Sequence, residues 1–387
     1  MSGPGRGFET AEYQGRVERA QRMMGERSID LLLLTTEPEF RYFSGFLTQF
    51  WQSPTRPWFL LVPLEGSPVA VIPEIGVPLM QRTWIEEIRS WPAPTPDDEG
   101  VSLLVAEIRS LGVGTGTIGV PMGPETLVRM PLSDWRRVTT ELSSASLVDA
   151  SPVIRASRMV KSEAEIEKIS HICRVASDAF DRVPGLAGAG IPQEEVFRSF
   201  KIALLEEGAD DVPELVGAGE PGGYGDVISP PSDRPLAEGD VLMMDTGAVR
   251  DGYFCDFDRN YAIGSTSGEA FRAYDTLQRA TDAGLEAAVP GATAADLFAA
   301  MRAVIDAAGY VAGNVGRVGH GLGMQLTEWP SHTATDLTVL AAGMVITLEP
   351  GLEFAPGRGM VHEENLVIRP DGPELLSRRA SPELPVI

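Results

Sequence analysis

Two apolar runs in this sequence end on a carboxylate. Val241-Leu-Met-Met leads into Asp245, and Met344-Val-Ile-Thr-Leu leads into Glu349. A charge at the end of a buried strand is costly unless it is paired or holds a cation. Beyond the first run, Ala248-Val-Arg-Asp-Gly252 offers a turn with Asp251-Gly252 as its sharpest signal. Folding about that turn is expected to place Asp256 opposite Asp245. Directly opposed strand residues have Cβ atoms about 4.5–5.5 Å apart, and two carboxylates that close repel unless a proton or cation lies between them. A second hairpin repeats the pattern: Pro356-Gly357 is a turn signal, and folding there brings Glu349 near Glu363 in Met360-Val-His-Glu363. Carboxylates grouped in this way suit a pair of metal ions about 3.5–4 Å apart. The alternative reading is structural, with one Asp capping the turn and the other paired with Arg259.

His320 sits in Gly319-His-Gly-Leu-Gly323, where small neighbours permit close approach of backbone or ligand. Alone, such a histidine is more often structural. With Asp245, Asp256, Glu349 and Glu363 it completes an oxygen-rich set suited to Mn, Fe, Co or Zn. Such a site lowers the pKa of a bridging water enough to make it a nucleophile at neutral pH.

Two domains are expected to position these residues, taking roughly 100–200 residues per domain. Residues 1–155 alternate helical and strand patterns: a helix over Glu9–Glu26, strands over Asp30–Thr36, Trp58–Pro63 and Val69–Ile72, helices near Gly76–Ile88 and Val101–Leu111, and a strand over Thr117–Val120. That is a small α/β domain. It ends near Asp149–Arg155, in Asp-Ala-Ser-Pro. Residues 156–387 read as an α+β domain. A helix from Ser162 and another after Pro192 precede strands over Pro213–Ala218, Val241–Gly247 and Tyr253–Ile263. Helices over Gly268–Ala288 and Ala294–Ala308 then lead to more strands. The segments Gly190–Phe197 and Gly291–Phe298 share their Gly and Phe at a constant offset, which suggests an internal repeat, with chance similarity as the alternative.

Bulk properties narrow the class. A hydrophobic fraction of 43% with 22% charged residues is that of a globular protein with a core. The net charge of −23 argues against nucleic acid as partner. No apolar run approaches the ~20 residues that span a bilayer, and the first thirty residues lack the apolar stretch of a secretory signal. Two cysteines, Cys173 and Cys255, cannot make a disulfide framework, so a cytoplasmic protein is expected.

Asp245-Thr-Gly with Asp256 eleven residues on, Gly319-His-Gly-Leu-Gly, Leu348-Glu-Pro-Gly and Glu363-Glu-Asn together resemble the five-ligand signature of the pita-bread metallopeptidases. That family includes aminopeptidase P, prolidase and methionine aminopeptidase. Arg158–Ile169 is similar to the helix opening their catalytic domain, and Phe8–Met24 with Ile29–Gly45 resembles the creatinase-type N-terminal domain. The resemblance implies a creatinase-type domain over 1–155 and a pita-bread catalytic domain with a pseudo-twofold repeat over 156–387. It also implies two divalent metal ions held by Asp245, Asp256, His320, Glu349 and Glu363, with Glu349 shuttling the proton.

The chain departs from the proline-specific members at three positions. Ile228 stands where they carry a histidine seventeen residues before the first ligand Asp. Thr327 replaces the histidine of His-Glu-x-Pro, and Val361 replaces an arginine two before the last ligand Glu, with His362 beside it. The expected activity is hydrolysis of a C–N bond in a dipeptide-like or small modified amino-acid substrate, with His362 or Thr327 as stand-ins for the missing imidazoles. The alternatives are a creatinase- or ectoine-hydrolase-like amidohydrolase and a metal-dependent dimethylsulfoniopropionate-lyase-like enzyme. A homodimer is expected, in which the segment Gly45–Trp58, with Trp51 and Arg56, reaches the partner's substrate. The bland alternative packs Trp51 and Trp58 into the local core.

Overall fold

The computed structural model describes residues 3–53, 56–312 and 316–387; Pro54 and Thr55 of the Gly45–Trp58 segment lie outside them. Two compact units result: Gly5–Arg158, and Met159–Ile387 with Gly3 and Pro4.

In the first unit, helix α1 (Thr10–Glu26) buries Tyr13, Val17, Ala20 and Met24, the three- and four-residue spacing of one helical face. Strand β1 (Leu31–Leu34) follows, buried along its whole length, then α2 (Glu37–Ser44). Strands β2 (Phe59–Pro63) and β3 (Val69–Pro73) are equally apolar. The helix expected over Gly76–Ile88 is only one turn long, α3 (Val77–Met80), and Glu87–Trp91 is strand β4, paired in parallel with β3. Pairing beside a buried strand outweighs a weak helical pattern here. Helix α4 (Val101–Ser110), β5 (Thr117–Val120), α5 (Leu132–Glu141) and β6 (Ser146–Asp149) complete a six-stranded sheet ordered β4-β3-β2-β1-β5-β6. Helix α6 (Ser151–Met159) occupies the segment read as a domain end. The Asp149 carboxylate accepts the Ser151 N–H and starts that helix.

The second unit begins with α7 (Glu163–Phe180), whose Ser162 and Glu165 form a reciprocal capping box. Helix α8 (Gln193–Glu207) follows Pro192. Strands β7 (Asp211–Pro221) and β8 (Asp240–Arg250) pair antiparallel, and β9 (Tyr253–Phe254) and β10 (Phe257–Ala262) return along β8. Helices α9 (Gly268–Ala287) and α10 (Ala294–Ala307) repeat the helical pair, and Thr293 with Asp296 forms a reciprocal capping box. After β11 (Val311–Ala312) come β12 (His320–Gly321), β13 (Glu328–Ser331), β14 (Val345–Leu348), β15 (Gly351–Ala355), β16 (Arg358–Val361), β17 (Glu364–Arg369) and β18 (Gly372–Leu375). The two halves correspond in detail. Pro192, before α8, bridges Pro235 just ahead of β8, and Thr293, before α10, bridges Val339 just ahead of β14.

Candidate metal centre

The β8–β10 hairpin turns on Asp251 and Gly252, both at positive φ, 47° and 75°. Positive φ at both central residues is the type I′ turn, which matches strand twist. Arg250 therefore pairs with Tyr253, and the same register sets Asp258, not Asp256, directly opposite Asp245. The expected Asp245–Asp256 opposition is thus corrected by two residues: the turn is centred between Asp251 and Gly252, and Asp256 is a diagonal neighbour of Asp245. Asp256 lies in the break between β9 and β10, where the Asn365 side chain holds it. Its N–H donates to Asn365 Oδ1 at 2.9 Å, and Asn365 Nδ2 donates to its carbonyl oxygen.

The second hairpin behaves as expected. Leu348 pairs with Glu364 and Gly351 with Val361, so one register runs through the gap between the strand pairs and sets Glu349 against Glu363. The His362 N–H donates to Pro350 O at 3.1 Å in the same register. Asp258 Oδ1 accepts the Glu363 N–H at 2.7 Å and joins the two hairpins.

His320 arrives on β12, beside β14. Gly319 makes this possible: at φ 128°, it sits where a Cβ would lie 2.3 Å from Thr347 O. The His320 N–H donates to Thr347 Oγ1, and its ring Nδ1 lies 2.9 Å from Gly321 O. Nδ1 can only donate to a carbonyl, so the Nε2 lone pair is free; it points at Asp256 Oδ2, 3.3 Å away. His320, Asp256 and Glu363 are buried and offer ligand atoms within 4.8 Å of one another.

Electrostatics exposes the missing charge. Burial, then the neighbouring Glu349 and Glu214, raises the Asp245 carboxyl to about 7. Burial likewise raises Glu349 to about 7, opposed by Arg317. Asp256 and Glu363 are pushed well above the carboxylate range by burial and by the other acids. His320 falls to about 4 through burial and Arg317, so it is a neutral ring. Asp245 Oδ1 and Glu363 Oε1 are enclosed without a hydrogen-bond partner. Buried acids with orphaned oxygens beside a lone-pair imidazole fit a bound cation, which satisfies the oxygens and removes the repulsion.

The remaining candidates separate. Thr327 is partly exposed and its Oγ1 accepts from Arg317 Nη2 at 3.4 Å. Ile228 is 78% exposed, on a loop turned by Asp226 accepting its N–H, so its side chain is turned to solvent. His362 neighbours Glu363 in sequence, and strand alternation sends it to the other face. There its ring lies 3.3 Å from Glu364 Oε1 and 3.6 Å from Asp258 Oδ1, beside Gln278 and Arg379. Trp51 belongs to the core of its own unit, packed on Phe40 and Trp58 with Arg129 over its ring, as the bland reading had it. Arg56 stacks over Phe50. Sequence reasoning missed Arg317, Asp258 and Asn365 as parts of the site. The period-two spacing Asp256-x-Asp258 and Glu363-x-Asn365 was the available signal.

Comparison with known proteins places the chain in a family. Residues 167–370 match the sequence model of Metallopeptidase family M24, and residues 16–160 match that of the Creatinase/Prolidase N-terminal domain. The chain is 30% identical over 370 residues to the probable dipeptidase PepE of Mycobacterium tuberculosis, covering 94% of this chain and 93% of that protein. The crystal structure of dipeptidase PepE from Mycobacterium ulcerans is similar at TM-score 0.85 and 29% identity, over 99% of this chain and 100% of that one. The prolidase from Pyrococcus horikoshii OT3 is similar at TM-score 0.80 and 25% identity, over 94% and 98%.

Proposed function

Because the chain belongs to Metallopeptidase family M24 and carries a Creatinase/Prolidase N-terminal domain, we propose that it hydrolyses the C–N bond of a dipeptide-like substrate at the Asp245, Asp256, His320, Glu349 and Glu363 cluster. The observation that carries this reading is the convergence of His320, Asp256 and Glu363 ligand atoms within 4.8 Å, with carboxylate oxygens of Asp245 and Glu363 left unpartnered. Two divalent ions held by these five side chains would supply a Lewis acid for the scissile carbonyl and acidify a water. Asp258 and Asn365 hold the backbone of Glu363 and Asp256 in place, and Gly321 O orients the imidazole. Glu349, like Asp245, is partly exposed. Its carboxylate takes the proton from the attacking water and passes it to the leaving nitrogen.

The relatives named dipeptidase and prolidase support a substrate of dipeptide size. Ile228 and Thr327 stand against efficient cleavage after the pattern of proline-specific enzymes, because neither carries an imidazole. The homodimer sharing residues between subunits, with Arg56 contributed by the partner, rests on the N-terminal domain's family; sedimentation as a monomer would exclude it. The reaction is tested by a dipeptide panel assayed with Mn or Co and after chelation. Hydrolysis that a chelator abolishes and metal restores is expected. Unchanged turnover in metal-free protein would refute the proposal.

A further inference from the structure

Strand β12 is two residues long, His320 and Gly321, yet it sets the imidazole that faces Asp256 and Glu363. Strands usually run about 3–10 residues, so β12 has few ladder bonds of its own to fix it. Its neighbours must do so. It lies between β13 and β14, with Gly321 paired to Glu328 on one side and to Ile346 on the other. Gly321 also supplies the carbonyl oxygen 2.9 Å from His320 Nδ1. The placement of Gly321 therefore decides where the Nε2 lone pair points.

Glu328 organises the turn that joins β12 to β13. Its Oε1 accepts the N–H groups of Met324 at 2.8 Å and Gln325 at 3.2 Å. Gly323 leaves room for this, since a Cβ there would lie 2.8 Å from the same oxygen. The other oxygen, Oε2, accepts from Lys161 Nζ at 3.1 Å, and the Lys161 and Glu328 side chains are only 2% and 6% exposed. Lys161 is anchored on the opposite flank of β12. Its N–H donates to Gly343 O at 2.9 Å, and Val160 bridges Met344, directly before β14. The ion pair thus ties β13 to the start of β14, the two strands that enclose β12. Desolvation offsets most of what two buried opposite charges gain, so such a pair adds little stability; what it adds is a fixed geometry.

Resting on the proposed metal centre, we propose that Lys161 and Glu328 are positioning residues for His320: the pair clamps Gly321 so that its carbonyl holds the imidazole as the Nδ1–H tautomer with Nε2 turned to the metal. In this assignment Lys161 touches neither substrate nor metal. It acts through Glu328, the turn and Gly321. Without the pair, β12 shifts between its neighbours and the ring loses its fixed acceptor.

The test needs no turnover. Lys161→Met alone leaves Glu328 an unpaired buried charge and lowers stability for that reason. The decisive variant therefore combines Lys161→Met with Glu328→Gln. It carries no buried charge, and the Gln carbonyl oxygen can still accept from the turn. Two quantities are read: Mn affinity by chelator competition, and the tautomer of His320 in metal-free protein by NMR of the imidazole nitrogens. The chain has four histidines, so the His320 signals are assigned by their loss in His320→Gln. The double variant should melt cooperatively near the wild-type temperature, bind Mn about 10-fold more weakly, and show mixed tautomers where wild type shows Nδ1–H alone. Wild-type Mn affinity in the double variant overturns the assignment, as does an unchanged tautomer there or the absence of the Nδ1–H form in wild type. A double variant that fails to fold makes the pair a structural one and overturns it too. Wild type that binds Mn but hydrolyses no dipeptide refutes the proposed reaction and leaves this assignment standing.

Discussion

Asn365 holds Asp256 by both of its backbone polar groups, and Asn365→Ala removes both bonds at once. The Asp256 N–H to Oδ1 bond is 2.9 Å long, and the return bond runs from Nδ2 to the Asp256 carbonyl. Asn365 has no exposed surface and Asp256 is 5% exposed, so both backbone groups would be left dry. An unsatisfied buried donor or acceptor costs about 1–3 kcal/mol, so the pair predicts a loss of roughly 2–6 kcal/mol. A water entering the vacated space would bring the loss to the low end. The second effect falls on the metal. Groups that orient ligands typically change metal affinity by about 10–100-fold. The assays are urea unfolding of metal-free protein for the first quantity and chelator competition for the second. A variant destabilised as predicted but with unchanged metal affinity would refute the idea that this clamp sets the position of Asp256. It would leave Asn365 an ordinary core residue.

Asp256→Ala and Glu363→Ala are each expected to abolish turnover and metal retention with the fold intact by circular dichroism; stoichiometric metal and unchanged turnover in both would remove the site assignment. Metal-free protein should lose stability as pH rises from about 6.5, where unfolded histidines are already mostly neutral, to above 7. Asp245 and Glu349 titrate near 7 when folded, well above their unfolded values, so their protonated forms favour the fold at low pH and that contribution is lost through 7. The slope approaches about 1.4 kcal/mol per pH unit for each group and should vanish on metal loading; an apo melting temperature flat between pH 5 and 8 would contradict it. Finally, with Ile228 and Thr327 at the imidazole positions, Ala-Pro should be a poor substrate beside non-proline dipeptides. Turnover of Ala-Pro as fast as the best of that panel would reject the inference.

The sequence made the carboxylate-ended strands, the start of α7 at Ser162 and the two-domain division legible, because each is a local pattern. Its reading of Glu349 against Glu363 holds because one register runs through the second hairpin. The first hairpin was misread by two residues. Turn chemistry decides register there, and Asp251-Gly252 at positive φ centres the turn one residue later than assumed. His362 neighbours a ligand in sequence, but the strand period turns its ring to the opposite face, against Glu364. Strand β4 went unread, with only Glu87 and Ile88 inside the expected helix, because its pairing with β3 is not a local pattern. The pairing of Lys161 with Glu328 left no local trace, since the two lie 167 residues apart in the chain.

Metal content measured by mass spectrometry on protein purified without a histidine tag, alongside dipeptide hydrolysis on the same sample, tests the central claim most directly. Two divalent ions per chain, with activity that falls as they are stripped and returns as they are restored, is the predicted result. Near-zero metal with full activity would contradict the account.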